Sequence, residues 1–318
     1  TGVQTCALPI SSEESHYCVS RAVLVMGGGD EGLFRVPSDD RFKMRVDLLD
    51  SVFDEACRRG RRPFALVASA GSTATGAYDD LEAIGAFCRR RQLWFHVDGA
   101  HGAAVAFSRS LRTRIRGIEQ ADSVILDFHK MLLTPALATA VLFRQRADSW
   151  AAFHQQAQYL WTDDNTEEWF NLGKRTFECT KLMMSVKIAA LWRTHGTALF
   201  DEHLRTVHQL AQDFAARISA RPAFQLAVEP ESNIVCFRWT GDAHSEDQRD
   251  MINAAVRRSL VESGQFYVVQ TRLRGKTWLR TALMNPLTTL ADLDALLDAV
   301  EQGGQSESAA AQPGAQRG

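Results

Sequence analysis

The sequence predicts an α/β protein in which a layered domain with a largely parallel sheet is followed by a smaller α+β domain. Three observations carry that expectation. Short apolar runs alternate with helical spacings from Arg21 to Arg144, the signature of strands interleaved with helices. Beyond two long helical stretches, the C-terminal third reads strand, strand, helix, strand, strand, helix. The 318 residues and 45% hydrophobic content suffice for one large core and one small one.

The elements follow in order. Ala22 to Met26 is a short apolar run ended by glycines. Val46 to Arg59 places Val46, Leu49, Val52, Phe53 and Ala56 at helical spacing. Pro63 to Ser69 is continuous enough to be a buried strand, Asp79 to Arg91 a helix, and Leu93 to Asp98 a further strand. Ala121 to Asp127 and Ala138 to Arg144 are strands. Thr176 to His195 and Leu199 to Ala220 are helices, the first ending on His195 with Gly196 as its cap. In the smaller unit, strands are expected at Phe224 to Val228 and Asn233 to Trp239, a helix at Glu246 to Gly264, two strands across Gln265 to Met284, and a helix from Leu290. This gives a large domain over residues 11–195 and a small one over 196–302. Residues 1–10 have no period or cap and are expected to be a non-native leader. Residues 303–318 are small and polar, and are expected to be a disordered tail.

Composition narrows the function classes. A formal net charge of −2 gives no electrostatic pull toward nucleic acid or an anionic membrane. No apolar run reaches the length of a membrane span. The six cysteines, Cys6, Cys18, Cys57, Cys88, Cys179 and Cys236, form no CxxC or other metal spacing, so a reduced cytoplasmic protein is expected.

Two strand ends carry candidate chemistry. In WFHVDGAHG an apolar strand delivers Asp98 at its C-terminal end, where open α/β sheets bind ligands. Asp98 is open to three readings: metal ligand, cofactor anchor or turn residue. In ADSVILDFHK a second strand ends in His129-Lys130. A lysine just past a buried strand loses solvation and becomes a better nucleophile, although an isolated loop lysine is the plainer alternative. Together the pair suits pyridoxal 5'-phosphate (PLP) chemistry. A carboxylate keeps the pyridine nitrogen protonated, and a lysine holds the cofactor covalently.

The segment ASAGSTATGAYDDLEAIGAFCRRRQLWFHVDGAHGAA, with ADS and HK beyond it, resembles the group II PLP-dependent amino-acid decarboxylases. That family reads A-T-x-G-T-T, G-x-[FY]-D-x-[IL], W-[LM]-H-V-D-A-A, A-D-S and N-P-H-K. The distances from Gly71 to Asp98 and from Asp98 to Lys130 fit it without a gap, and the match runs from about Ser11 to about Gln302. The resemblance implies PLP fold type I, aspartate-aminotransferase-like, with the large domain present in part. It implies a homodimer, an amino acid as the small-molecule substrate, and decarboxylation to the corresponding amine and carbon dioxide. It makes Lys130 the cofactor lysine, Asp98 the pyridinium partner, Thr73 and Ala100 cofactor contacts, and His129 the histidine before the lysine. SSEESHYCVSRA matches the family's S-x-x-x-H-x-S-x-x-[KR]-A segment and makes His16 the imidazole that stacks on the cofactor ring. Tyr159 in FHQQAQYLW falls at the mobile-loop tyrosine that returns a proton after decarboxylation. Arg280 in WLRTALMNP falls at the arginine that holds the substrate α-carboxylate, a task suited to a bidentate guanidinium. The plainer alternatives are a surface histidine for His16, a loop aromatic for Tyr159 and a structural ion pair for Arg280.

Three residues, in two places, depart from the pattern. Asp127 and Phe128 stand where Asn-Pro is commonest, and an aspartate there would repel the cofactor phosphate unless protonated or turned away. His101 replaces a usual aromatic. The family's phosphate-cradling segment lies upstream of the residues present. Two apparent motifs are discounted. GGGDEG matches GxGxxG but is followed by a strand-like run and not a helix. His96 and His101 flank Asp98 without a third ligand, so no metal is expected. Two other functional readings stay open: an oxygen-using aldehyde synthase, in which the loop tyrosine is typically Phe, and an incomplete chain acting as a partner subunit.

Overall fold

The computed structural model describes residues 7–29, 31–153, 172–178, 180–241, 243 and 245–310. The larger of its two sheets contains β1 (Ala7–Ser12), β2 (Phe34–Val36), β3 (Arg62–Ser69), β4 (Trp94–Asp98), β5 (Ser123–Asp127) and β6 (Thr139–Phe143) in the spatial order β2-β1-β3-β4-β5-β6. All neighbours pair in parallel except β6, which runs antiparallel to β5 and ends the sheet. Helices of this unit are α1 (Tyr17–Val25), α2 (Leu49–Arg58), α3 (Leu81–Arg91), the single turn α4 (Phe128–Met131), α5 (Arg146–Ala152) and α6 (Ser185–His195).

The sheet has two unlike faces because side chains alternate along each strand. Ile10, Leu66, Ala68, Phe95 and Val97 point to one face and join Leu49 of α2 with Leu81, Ile84 and Phe87 of α3 in a closed core. The opposite face presents Ala65, Val67 and Ser69 from β3, Trp94, His96 and Asp98 from β4, and Ile125 and Asp127 from β5. This second face is the floor of the cavity described below.

A long helix, α7 (Ala198–Ser219), joins the two units. Its first turns bury Phe200, Leu204 and Val207 beside Ala103, Phe128 and Met131, whereas its last turns bury Ala211, Phe214 and Ile218 under the second sheet. That sheet contains β7 (Phe224–Leu226), β8 (Ile234–Trp239), β9 (Val269–Leu273) and β10 (Lys276–Ala282), fully antiparallel in the order β7-β8-β10-β9, with α8 (Glu246–Glu262) and α9 (Leu290–Ala310) packed with it. Among the described residues, no helix is long and apolar enough to cross a membrane.

Four expectations are corrected. Ala7–Ile10 are not a leader but the first residues of β1, and Leu8 and Ile10 are buried. Pro9 is tolerated in this central strand because the register with β3 slips between Leu8 and Pro9. Ala22–Met26 is not a strand but the end of α1, where only Val23 is buried and the Gly27 and Gly28 N–H groups close on the Leu24 and Val23 carbonyls. The helix expected from Thr176 starts at Ser185. Phe177, Leu182 and Met183 are exposed, so no burial offsets the cost of ordering an earlier turn. Finally, Gly303–Ala310 continue α9 and are not a disordered tail. The reason is close approach: a Cβ on Gly304 would stand 2.5 Å from the Trp239 ring, so glycine lets the helix lie directly on a buried indole.

Candidate active site

The strand ends are brought together by tight backbone contacts. The Asp98 carbonyl accepts from Ala70 N–H at 2.8 Å, and Gly102 N–H donates to the Ala70 carbonyl at 2.9 Å. Only glycine fits at 102, where a Cβ would lie 2.5 Å from the Ala70 carbonyl oxygen and 2.7 Å from the Tyr78 ring. Asp79, in the G-x-Y-D stretch, fixes the end of β3 from beneath. Its two carboxylate oxygens accept the Met44 and Ser69 N–H groups, each at 2.7 Å. Burial nevertheless pushes its pKa up to about 6.

These contacts leave a cavity of ≈ 520 Å³ over the open face of the sheet. Its walls include His16, Thr73, Asp98, Ala100, Asp127 and Lys130, six positions singled out from the sequence. Asp98 is half-buried at the end of β4, and Ala100 N–H donates to its Oδ1 at 3.2 Å. It has no salt-bridge partner among the described residues, so a carboxylate faces the cavity without a cation. His16 sits at the start of α1, and its Nδ1 accepts Cys18 N–H at 3.3 Å. Desolvation holds its pKa below the ordinary value, and Lys130 adds to that against the opposing pull of Asp98.

Lys130 rises from α4, one turn past β5. Its Nζ lies 2.9 Å from Asp127 Oδ2, while Thr139 Oγ1 donates to Asp127 Oδ1 at 2.6 Å. Asp127 is therefore turned toward Lys130 and β6. His129 is not brought to the cavity. Its Nδ1 meets the Ala138 backbone at 3.0 Å (O) and 3.2 Å (N), and its Nε2 stands 3.8 Å from Asp127 Oδ2. On a one-turn helix the residues at 129 and 130 point apart, so the lysine faces the cavity and the histidine braces the following loop.

Arg280, on β10, opens into an adjoining cleft of ≈ 300 Å³ that shares His16 and Thr73 with the main cavity. Its Nε donates to the Ala74 carbonyl at 3.2 Å. No acidic side chain pairs with it among the described residues, so the ion-pair alternative has no partner there. Tyr159 lies outside the described residues. Sequence reasoning did not select Trp94, His96 or Cys18 as site residues, although all three line the cavity. The alternation back from Asp98 carries the signal for the first two. Trp94 Nε1 donates to Ser123 Oγ at 2.9 Å, and His96 Nδ1 meets the same hydroxyl at 2.8 Å. His101 also lines the cavity, and its Nε2 meets Asn233 Oδ1 of the second unit at 2.7 Å.

Comparison with known proteins settles the family. Residues 7–240 match the pyridoxal-dependent decarboxylase conserved domain. The chain belongs to this decarboxylase family. It is 30% identical over 306 residues to the acidic amino acid decarboxylase GADL1 of Xenopus tropicalis, covering 93% of this chain and 60% of that protein. To the cysteine sulfinic acid decarboxylase of Rattus norvegicus it is 29% identical over 309 residues, covering 93% and 62%. The crystal structure of mouse CSAD superposes with a TM-score of 0.87 at 27% identity, over 94% of this chain and 64% of that one. The glutamate decarboxylase domain of a Vibrio parahaemolyticus diaminobutyrate enzyme gives 0.81 at 25% identity, over 95% and 59%. The chain thus spans about three fifths of the length of the relatives it matches. The parallel-rich sheet with its smaller antiparallel companion is the PLP fold type I of this pyridoxal-dependent family.

Proposed function

We propose that this protein belongs to an enzyme that decarboxylates an L-amino acid with PLP. The observation that carries the reading is the joint placement of Lys130, Asp98 and His16 on one cavity, with Arg280 opening beside His16 and Thr73. The donor set suits the cofactor. Asp98 supplies a half-buried carboxylate with no cation, the environment that a protonated pyridine nitrogen completes. Lys130 supplies a primary amine, His16 a flat ring kept largely neutral by burial, and Thr73 and Ala100 short walls around them.

Bound PLP supplies an electron-poor ring that accepts the electron pair left when carbon dioxide departs. The chain's own groups do the rest. Lys130 Nζ would be the nucleophile that holds the cofactor. Asp98 would keep the ring-nitrogen proton in place. The Arg280 guanidinium, with its Nε on the Ala74 carbonyl, keeps its Nη groups for the substrate carboxylate. The Tyr159 phenol holds the proton that completes the amine. Asp127 is turned onto Lys130 and Thr139, which supports a tolerated departure at the phosphate end. The working form is a cytoplasmic homodimer. Exposed apolar side chains on β6 (Val141, Leu142) and before α6 (Phe177, Leu182, Met183) support an assembly surface.

Borohydride reduction of PLP-loaded protein followed by peptide mapping tests the reading. The pyridoxyl group is expected on Lys130. A label on another lysine, or none, overturns it.

A further inference from the structure

We propose that Asp127 is a positioning residue for Lys130, a carboxylate clamped from β6 that engages the lysine Nζ at the cavity floor until the cofactor displaces it. The proposal rests on the PLP reading above and goes beyond it, because the commonest family pattern has a neutral asparagine at this position.

The geometry uses both carboxylate oxygens. Asp127 ends β5 and Lys130 follows three residues later on α4, a short tether that brings Nζ to 2.9 Å from Oδ2. Thr139 is the residue paired directly opposite Asp127 in the β5–β6 ladder. Its hydroxyl donates to Oδ1 at 2.6 Å and so fixes which oxygen faces the lysine. Asp127 is only 8% exposed, so water does little to neutralise it and Lys130 is its main counter-charge. His129 Nε2, at 3.8 Å from the same Oδ2, is outside hydrogen-bond distance while Lys130 is in place. It is the next group able to approach that oxygen when Lys130 withdraws. Asp98 also bounds this cavity but has no such clamp. Asp127 therefore both aims the amine and restrains its reactivity, and an asparagine could do only the first.

Amine-selective chemistry reads this without the cofactor. With trace acetic anhydride the Lys130 side chain gives one proton to buffer, its lone pair forms the new N–C bond as acetate leaves, and the nitrogen then gives a second proton to buffer. On cofactor-free full chain, acetylation of Lys130 is measured by mass spectrometry against the exposed lysines of the same molecule. Asp127→Asn is expected to speed Lys130 acetylation about tenfold, the factor that corresponds to about 1.4 kcal/mol for one lost charge-assisted contact. Thr139→Val, which frees the clamp but keeps the charge, is expected to speed it about threefold. Rates within twofold of wild type in Asp127→Asn overturn the proposal. If that variant is unfolded, with all lysines accelerated together, Thr139→Val decides alone, and an unchanged rate there overturns it. A parallel arm measures PLP capture at Lys130 by borohydride reduction. Capture failing in wild type while acetylation responds to Asp127 removes the cofactor reading but leaves the pair. Capture succeeding while acetylation is indifferent to Asp127 does the reverse.

Discussion

Replacing His101 with phenylalanine should exchange stability at neutral pH for resistance to acid. The imidazole Nε2–H donates to Asn233 Oδ1 at 2.7 Å, a direction fixed because Asn233 already uses its amide N–H on the Leu283 carbonyl. Asn233 is fully buried, so phenylalanine leaves its carbonyl oxygen without a donor, a cost of about 1–3 kcal/mol. Burial, with Lys130 and Arg280 acting against a further positive charge, drives the His101 pKa from 6.5 down to about 4. The unfolded chain therefore binds the proton first as pH falls. The stabilisation is complete above pH 6.5, is lost between 6.5 and 4 at about 1.4 kcal/mol per pH unit, and changes no further below 4. The full loss is about 3 kcal/mol.

The phenylalanine variant lacks this dependence, so the two stability curves should converge and cross near pH 5. His208, also lowered to about 4, has the same sign, and Asp79, raised to about 6, has the opposite sign, losing stability as pH rises from 3.8 to 6. Both are common to the two proteins, so their own titrations largely cancel in the difference, leaving the charge coupling of His208 to His101 as part of the His101 effect. Urea unfolding followed by tryptophan fluorescence from pH 4.5 to 8 measures it. A wild-type-minus-variant difference that stays constant over this range would refute the reasoning, because it would mean that His101 binds its proton equally in the folded and unfolded chains.

Two further outcomes follow from geometry. Gly304→Val drives a side chain into the Trp239 ring and should cost about 1–3 kcal/mol by overpacking, whereas Gly303→Ala, whose nearest neighbour is a Val256 methyl at 3.3 Å, should lie close to wild type; urea midpoints of both variants check this, and equal midpoints would count against close packing at 304. Asp98→Ala should lower the rate of the PLP-loaded protein by on the order of a hundredfold and weaken PLP binding in an absorbance titration; a variant within a few-fold of wild type in both would exclude Asp98 as the pyridine partner.

Much of the architecture was legible because the signals were local. The apolar runs that became β3, β4 and β5 are buried or half-buried over most of their length, with Phe64 of β3 exposed, and runs of that kind have few alternatives in an α/β chain. Asp98 and Lys130 were legible as strand-end residues before any family pattern was applied. The errors arose where tertiary contacts overrule local pattern. Ala22–Met26 is apolar enough for a strand, but it continues a helix begun at His16, and only Val23 faces inward. The stretch before Ser185 has apolar residues but no surface to bury them against. Gly303–Ala310 look like a tail until Trp239 is seen lying under Gly304. Nothing in the spacing of Thr139 predicts its bond to Asp127, because that contact exists only through the register of an antiparallel pair.

The two departures from the family pattern have a common structural character. Asp127 ends β5 and His101 follows β4, both at the cavity, and each is held by a group from another element: Thr139 of the paired strand β6 for one, the distant Asn233 for the other. An unpaired buried carboxylate or imidazole would destabilise the site by several kcal/mol. Both residues have partners with short, well-formed hydrogen bonds, and Asp127 has a counter-ion as well. The argument extends to specificity. His101 ties the cavity wall to the unit that carries Arg280, so substituting a hydrogen-bonding ring for an aromatic one at this position changes how firmly Arg280 is registered against Lys130.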